Sequence, residues 1–301
     1  MITISMDDCQ GGVTAPKGFR AAGMYCGIRK VKKDIAMIVS EVPATSAGVF
    51  TLNKTQAACV LVDKIQLKRS PVCSAVVVNS GNANACTGER GLNDTWEMVK
   101  TTAQALKLPE EQVMVSSTGV IGQYMPMDKV VPAIAQLAAK LSTSGNGDAA
   151  EAIMTTDTFA KEAAVHFTLG KHVVTIGGVA KGSGMIAPNM ATMLAFITTD
   201  VAISGDLLTK ALRAANNRSF NRITVDGDMS TNDMVLVMAN GLAGNAALTE
   251  NSEEFHLFGA ALEYVLIKLA KMIAKDGEGA TKLIEIMMKG AKSEEEAAQA
   301  A

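Results

Sequence analysis

Apolar residues follow two different spacings along this chain, and stretches of the two kinds alternate. Residues 34–40 and 74–79 are short β-branched runs that predict buried strands. In residues 93–106 and 127–141, the apolar positions recur three and four residues apart, as they do along one face of a helix. Strands that alternate with helices of this length are typical of an α/β fold in which helices cover a sheet.

The second half of the chain continues this alternation around an irregular turn. Residues 182–189 contain two glycines, a proline and an asparagine, and they separate two apolar runs that predict buried strands. Residues 143–148 are polar and glycine-rich, which predicts a loop. The other predicted elements are strands at 173–179, 195–199 and 281–288, and helices at 149–154, 205–217 and 253–275.

The last residues predict a short helix. Ser293 and Glu296 have the spacing of a helix-opening capping box, but only alanines follow them as an apolar face, so a helix here would be marginal alone. The sequence ends within two turns of this start. We expect from this that the chain stops short of its ancestral end.

Composition and charge narrow the classes of function. Among 301 residues, 48% are hydrophobic and 19% charged, and 28 Lys and Arg oppose 30 Asp and Glu, so no strong charge attracts nucleic acid or acidic lipid. The five cysteines include no C-x-x-C pair, and the three histidines lack zinc-ligand spacing, which predicts reduced thiols and no metal. No apolar run approaches the ~20 residues of a membrane span. These features predict a cytoplasmic protein with small-molecule partners.

The chemistry is expected in the sequence KGSGMIAPNMATMLAFITTD at 181–200. Its glycines and proline impose an unusual backbone path directly before the hydroxyl of Thr192. From the residues alone, a tight loop feeding a buried strand explains the same pattern, with Thr192 bonded only to the backbone.

This segment resembles the self-cleavage segment of the ornithine acetyltransferase family almost residue for residue. Further blocks that resemble the family occur in order and together span nearly the whole chain. They are GGVTAPKGF at 11–19, VPATSAGVF at 42–50, VNSGNANACTG at 78–88, SSTGVIG at 116–122, MTTDTF at 154–159, RSFNRITVDGD at 218–228 and DGEGATK at 276–282.

The resemblance implies that the chain cleaves itself between Ala191 and Thr192. The Thr192 hydroxyl would attack the carbonyl of Ala191, and hydrolysis of the resulting ester would leave an alpha chain, 1–191, and a beta chain, 192–301. Thr192 would then carry a free α-amine, with an unperturbed pKa of about 7.7–8.0, that serves as the base for its own hydroxyl. Such an enzyme needs no catalytic histidine.

The family pattern also implies roles for five other residues. Thr118 and Gly119 would form the oxyanion hole, while Lys181, Glu278 and Thr155 would bind substrate. Taken alone, the SSTG sequence at 116–119 also fits a strand-ending turn, and a single lysine or glutamate is commonly a solvated surface charge.

The implied function is transfer of acetyl from N-acetylornithine to glutamate through an acetyl-Thr192 ester in arginine biosynthesis. The resemblance implies no cofactor, although acetyl-CoA is a further candidate donor. The fold expected by resemblance is a layered αββα sandwich, which the alpha and beta chains build together as one main α/β domain. The cleaved chains are expected to pair into a heterotetramer.

The match to the family pattern has departures. Met229 stands where the family usually has a small hydroxyl residue, and Ala187 stands where histidine is frequent. The chain also lacks the domain-sized C-terminal stretch of family members, including an N-W-G-R block. Two alternatives therefore stay open: a self-processing aminopeptidase or amidase of the same fold, and a truncated, inactive relic.

Overall fold

The computed structural model of this chain describes residues 6–187 and 193–301. Its strands are β1 Met6–Asp8, β2 Phe19–Met24, β3 Ile35–Phe50, β4 Val72–Asn82, β5 Val113–Val120, β6 Lys161–Leu169, β7 His172–Lys181, β8 Leu194–Thr199 and β9 Met234–Ala239. Its helices are α1 Ala58–Arg69, α2 Gly88–Leu106, α3 Met127–Ala139, α4 Asn146–Ala152, α5 Gly205–Asn217, α6 Glu253–Lys275 and α7 Glu294–Ala300.

The long strand β3 pairs with strands from both halves of the sheet and so joins them. Its first half pairs with β2 on one side and β4 on the other, whereas its second half pairs with β9. The register shifts between Val39 and Ala44, between the two halves of the strand. Strands β4 and β5 are parallel, as are β8 and β9, and the order along the main path is β1-β6-β7-β8-β9-β3-β4-β5. β3 therefore belongs to two groups of strands, β2 to β5 and β6 to β9.

These two groups of strands share one hydrophobic core. Val179, Phe196 and Leu236 are cross-strand neighbours on β7, β8 and β9, and they belong to the same buried cluster as Ile38 and Val76 of β3 and β4. Because side chains alternate between the faces of a strand, the next residues along β7 to β9 point the opposite way. That opposite face forms a second cluster with α5 and α6.

The helices form the outer layers. Helices α5 and α6 cover the sheet face that carries Ile176, Ile197 and Val237. Helices α1 to α4 supply buried residues to the other cluster, on the side of β2 to β5. The order helix, sheet, sheet, helix confirms the layered αββα fold expected by resemblance.

Most predicted elements are present, and two helices match to the residue. Helices α5 and α6 occupy residues 205–217 and 253–275, and each begins after a serine whose hydroxyl accepts a hydrogen bond from the first turn. The loop predicted at 143–148 is shorter than expected because α4 already begins at Asn146, whose side chain accepts a hydrogen bond from the Val13 amide (2.9 Å).

The strand predicted at 281–288 is wrong. These residues form no strand, and their apolar side chains are exposed, Ile284 by 79%. Alternating apolar residues make a strand only where a neighbouring edge supplies hydrogen bonds, and none of the described strands pairs with this segment. The predicted C-terminal helix does form, and its Glu294 pairs with Arg218 (2.7 Å). No helix in the described parts of the chain has the length and hydropathy to cross a membrane.

Shortening Phe196 tests the packing between the two groups of strands. Phe196 is fully buried, so we expect Phe196→Ala to lower the free energy of unfolding by about 3–5 kcal/mol, measured by urea denaturation. Val173→Ala, at an exposed position of β7, is the control and should lower the free energy of unfolding by less than about 0.5 kcal/mol. Equal losses in the two variants would contradict the assigned core.

Candidate active site

The predicted site residues meet at one cavity. It has a volume of about 710 Å³ and lies where the parallel strands β4 and β5 end. Thr118, Gly119, Thr155, Lys181 and Glu278 all line it, although 160 positions separate the first from the last. Ala191 and Thr192, the predicted cleavage residues, lie outside the described residues.

The strand ends at Thr118 and Gly119 come unusually close to their neighbour. Gly119 is in register with Gly81 of β4 and has φ 134°. A Cβ on Gly119 would lie 2.3 Å from the carbonyl carbon of Gly81, so only glycine fits here. The close approach of the two strands explains the glycine on structural grounds. It also leaves the backbone at Gly119 uncovered by a side chain at the cavity wall, next to Thr118.

Asn232 holds this corner together and was not singled out by the sequence. Its Nδ2 donates to the carbonyls of Ala83 and Ser117, each at 2.7 Å. These two hydrogen bonds fix the ends of β4 and β5 relative to each other. Asn232 also lines the cavity. The only feature of the sequence that could have indicated Asn232 is its position four residues after the family-like block at 218–228.

Lys181 is a buried cation at the end of β7. Only 2% of it is exposed, and it is in register with Leu194 of β8. Burial lowers the pKa of its ammonium, although nearby carboxylates, chiefly that of Asp157, oppose this shift. No carboxylate of a described residue is within ion-pair distance of its Nζ. The side chain thus offers a desolvated positive charge to an anion in the cavity. Lys181 is therefore not the solvated surface charge that the sequence, taken alone, left open.

A second buried lysine, Lys161, organises the segments around the cavity. Its Nζ lies 2.7 Å from Asp157 Oδ1 and 2.6 Å from Asp276 Oδ2, and all three side chains are almost fully buried. Burial works against both carboxylates, but nearby positive charge and hydrogen bonds outweigh it, so the pKa of each falls below the usual value for aspartate. We call these three residues the buried ion cluster. The sequence alone assigned none of these three residues a role.

The buried ion cluster connects to each segment that is predicted to bind substrate. Asp157 accepts hydrogen bonds from the amides of Gly182 (2.7 Å) and Thr155 (2.9 Å). The carbonyl of Asp276 accepts from Ser183 Oγ (2.7 Å), and the amide of Glu278 donates to the Ser183 carbonyl (2.8 Å). The segments that carry Thr155, Lys181 and Glu278 are therefore fixed relative to one another.

The chain on either side of residues 188–192 is held by carboxylates of one loop. Asp226 accepts hydrogen bonds from the amides of Met185 and Ile186, the latter at 2.9 Å. Asp233 Oδ1 accepts from the amide of Met193 (2.8 Å). Met185 has φ 60°, a left-handed conformation that is strained for a residue with a side chain. These contacts fix the entry to and the exit from the segment in which cleavage is predicted.

The described residues that line the cavity include no histidine, and the described parts of the chain contain no group of three or more His, Cys, Asp or Glu side chains placed to hold a metal ion. The polar groups of the cavity wall are hydroxyls, amides, ammonium and guanidinium groups, and carboxylates. Such groups suit recognition of an amino acid and stabilisation of an oxyanion.

Known proteins resemble the chain in sequence and in fold. The ArgJ family matches residues 20–301. The arginine biosynthesis bifunctional protein ArgJ of Symbiobacterium thermophilum is 55% identical over 299 residues, which are 98% of this chain and 74% of that protein. The crystal structure of arginine biosynthesis bifunctional protein argJ from Bacillus halodurans is similar with a TM-score of 0.60 and 45% identity, over 63% of this chain and 100% of that one. Ornithine acetyltransferase from Mycobacterium tuberculosis, solved with ornithine, has a TM-score of 0.57 and 40% identity, over 61% and 98% of the two chains.

Removing the charge of Lys161 should destabilise the protein, because the two buried carboxylates would lose their ion-pair partner. Lys161→Met leaves Asp157 and Asp276 without their shared cation, so we expect a loss of about 3–5 kcal/mol in unfolding free energy at neutral pH. The matched control is Lys210→Met, which breaks the exposed pair with Glu250 and should cost at most about 1 kcal/mol.

The pH dependence follows from the lowered pKa of the two aspartates. Their contribution is present above the unfolded pKa of about 3.9 and is lost as the pH falls through the lower folded values. The difference in unfolding free energy between the native protein and Lys161→Met should therefore be largest at neutral pH and become smaller as the pH is lowered. A difference that stays constant with pH would contradict the role of the cluster.

Proposed function

The chain belongs to the ArgJ family, the acetyltransferases of arginine biosynthesis, and we propose that its cavity transfers acetyl from N-acetylornithine to glutamate through an ester on Thr192. The observation that carries this proposal is the convergence of Thr118, Gly119, Lys181 and Glu278 on one cavity. Met193, the residue bonded to Thr192, donates its amide hydrogen bond to Asp233, the neighbour of Asn232 in the cavity wall.

The proposed maturation is an acyl shift followed by hydrolysis. Thr192 Oγ attacks the carbonyl carbon of Ala191, the amide C–N bond breaks as the ester forms, and the nitrogen takes up the proton. Water then hydrolyses the ester, leaving a carboxylate on Ala191 and a free α-amine on Thr192. The anchoring of Met185, Ile186 and Met193 by Asp226 and Asp233 supports this step, because it restricts the backbone on both sides of the bond.

The length of a solved relative also supports cleavage at this position. The Bacillus halodurans chain is matched over its full length, yet it covers only 63% of this chain. The proposed alpha chain, 191 of 301 residues, is the same 63%. A separate polypeptide of that size is what cleavage between Ala191 and Thr192 would produce.

Acetyl transfer then proceeds in two half-reactions. The α-amine of Thr192 takes the hydroxyl proton as Oγ attacks the acetyl carbonyl, and the oxyanion is stabilised by donors at Thr118 and Gly119. Ornithine leaves with a proton on its amine, and the amine of glutamate attacks the acetyl ester to regenerate Thr192. Lys181 binds the α-carboxylate that both amino acids carry, Glu278 binds the side-chain amine of ornithine, and Thr155 offers a hydroxyl.

The reaction requires no cofactor, and acetyl-CoA would enter only as another acetyl donor. The two chains would remain together through the shared sheet and assemble into a heterotetramer. Transfer is favoured over the aminopeptidase or amidase alternative because the solved relative with ornithine is an acetyltransferase at 40% identity.

Thr192→Ala tests the nucleophile. We expect one full-length mass under denaturing conditions and no acetyl transfer, whereas the unmodified chain gives two fragments, 1–191 and 192–301. Thr168→Ala, at an exposed position of β6, is the matched control and should keep both properties. Transfer activity retained by Thr192→Ala would overturn the mechanism, and a single mass for the unmodified chain would favour the inactive relic.

Lys181→Met tests whether Lys181 acts in substrate binding or in self-cleavage. Methionine has similar bulk but no charge, so we expect the apparent KM for N-acetylornithine to rise roughly 10–100-fold, as fits the loss of a charged hydrogen bond. The extent of self-cleavage, measured by intact mass, should change far less. Equal loss of cleavage and transfer would contradict the assignment of Lys181 to the substrate carboxylate.

A further inference from the structure

The loop between β2 and β3 presents an arginine to the cavity. The carboxylate of Asp34, which is fully buried, accepts hydrogen bonds from the amides of Cys26 (2.6 Å), Gly27 (3.1 Å) and Arg29 (2.8 Å). Three bonds to one side chain fix the backbone of the loop. Arg29 therefore enters the cavity wall from a defined position.

The guanidinium of Arg29 is also fixed. Nη1 donates to the carbonyl of Met154 (2.7 Å) and Nη2 to that of Thr155 (3.1 Å). The aliphatic part lies over Gly81, where an added Cβ would be 2.7 Å from Arg29 Cγ. The side chain thus spans from the glycine paired with Gly119 to the segment that carries Thr155.

Among the residues that the structure describes, none supplies a counter-ion for the guanidinium of Arg29. Both hydrogen-bond acceptors are neutral carbonyls, and no carboxylate of a described residue forms an ion pair with it. A guanidinium has five N–H donors, so the two carbonyls leave donors for a ligand. A half-buried, immobilised cation on a cavity wall is suited to bind a carboxylate.

The two amino acids of the proposed reaction differ in the charge that ends their side chains. Ornithine ends in an amine, for which Glu278 is the proposed partner, whereas glutamate ends in a carboxylate that Glu278 would repel. Lys181 is assigned to the α-carboxylate common to both. A second cation is therefore needed for the acceptor, and Arg29 lines the cavity in a position to supply it.

We propose that the guanidinium of Arg29 binds the side-chain carboxylate of the acceptor glutamate and thereby sets acceptor specificity. This inference rests on the proposed acetyl transfer and adds a residue that discriminates between its two half-reactions. Glutamine is the informative comparison, because it has the shape of glutamate without the charge. A site built for a charged group should reject it.

The test compares acceptors in the cleaved enzyme with Arg29→Gln. We expect kcat/KM for glutamate to fall roughly 10–100-fold, and the preference for glutamate over glutamine to fall by a similar factor. Release of ornithine in a single turnover of N-acetylornithine, which precedes acceptor binding, should be largely retained. Lys32→Gln, which removes an exposed charge from the same loop, is the control and should leave the preference unchanged.

Several outcomes would overturn the proposal. They are an unmodified enzyme that does not distinguish glutamate from glutamine, an unchanged preference in Arg29→Gln, and an equal loss of ornithine release. If Arg29→Gln does not cleave or fold, Arg29→Lys decides the question, because lysine keeps the charge but not the planar guanidinium. An unaltered KM and preference for glutamate in Arg29→Lys would then overturn the assignment of the guanidinium as the group that binds glutamate. Absence of any ornithine release from the unmodified enzyme would instead refute the proposed acetyl transfer itself.

Discussion

The pairing of Lys161 with Asp157 and Asp276 is the constraint on which the cavity depends. Removing three charges from water costs several kcal/mol for each ion, and the pairing of Lys161 with both carboxylates offsets this cost. The same carboxylates accept amide hydrogen bonds from the segments at Thr155 and Gly182. The electrostatic requirement of the interior thus determines where the side chains proposed to bind substrate lie.

A second constraint is steric and acts at the ends of β4 and β5. Gly81 and Gly119 face each other so closely that a side chain on Gly119 would collide with the backbone of its neighbour. Asn232 binds carbonyls of both strand ends and so prevents them from separating. This rigid corner suits an oxyanion site, because donors that are already in place need not reorganise during the reaction.

The cavity combines groups of both charges that are not fully neutralised inside the protein. Lys181 is buried without an ion pair to a described residue, the guanidinium of Arg29 donates to two neutral carbonyls, and Glu278 is exposed. A binding site for a single amino acid would need fewer charges. The mixture suits a site that receives, in turn, a side chain ending in an amine and one ending in a carboxylate.

By itself, the sequence determined the local features of this protein. The periodic apolar faces and serine caps of α5 and α6 are encoded within each segment, so their bounds were predicted to the residue. The resemblance to a family picked out Thr118, Gly119, Thr155, Lys181 and Glu278 as well as Thr192, and the roles of all six stay predictions. Only the tertiary structure decided that the residues other than Thr192 share a cavity, that Lys161 pairs with Asp276 across 115 positions, and that Arg29 reaches the cavity wall. It also decided that residues 281–288 are no strand. The physical reason is the same throughout: ion pairs, close backbone approaches and strand pairing need partners that are distant in sequence, and a local pattern carries no information about where those partners lie.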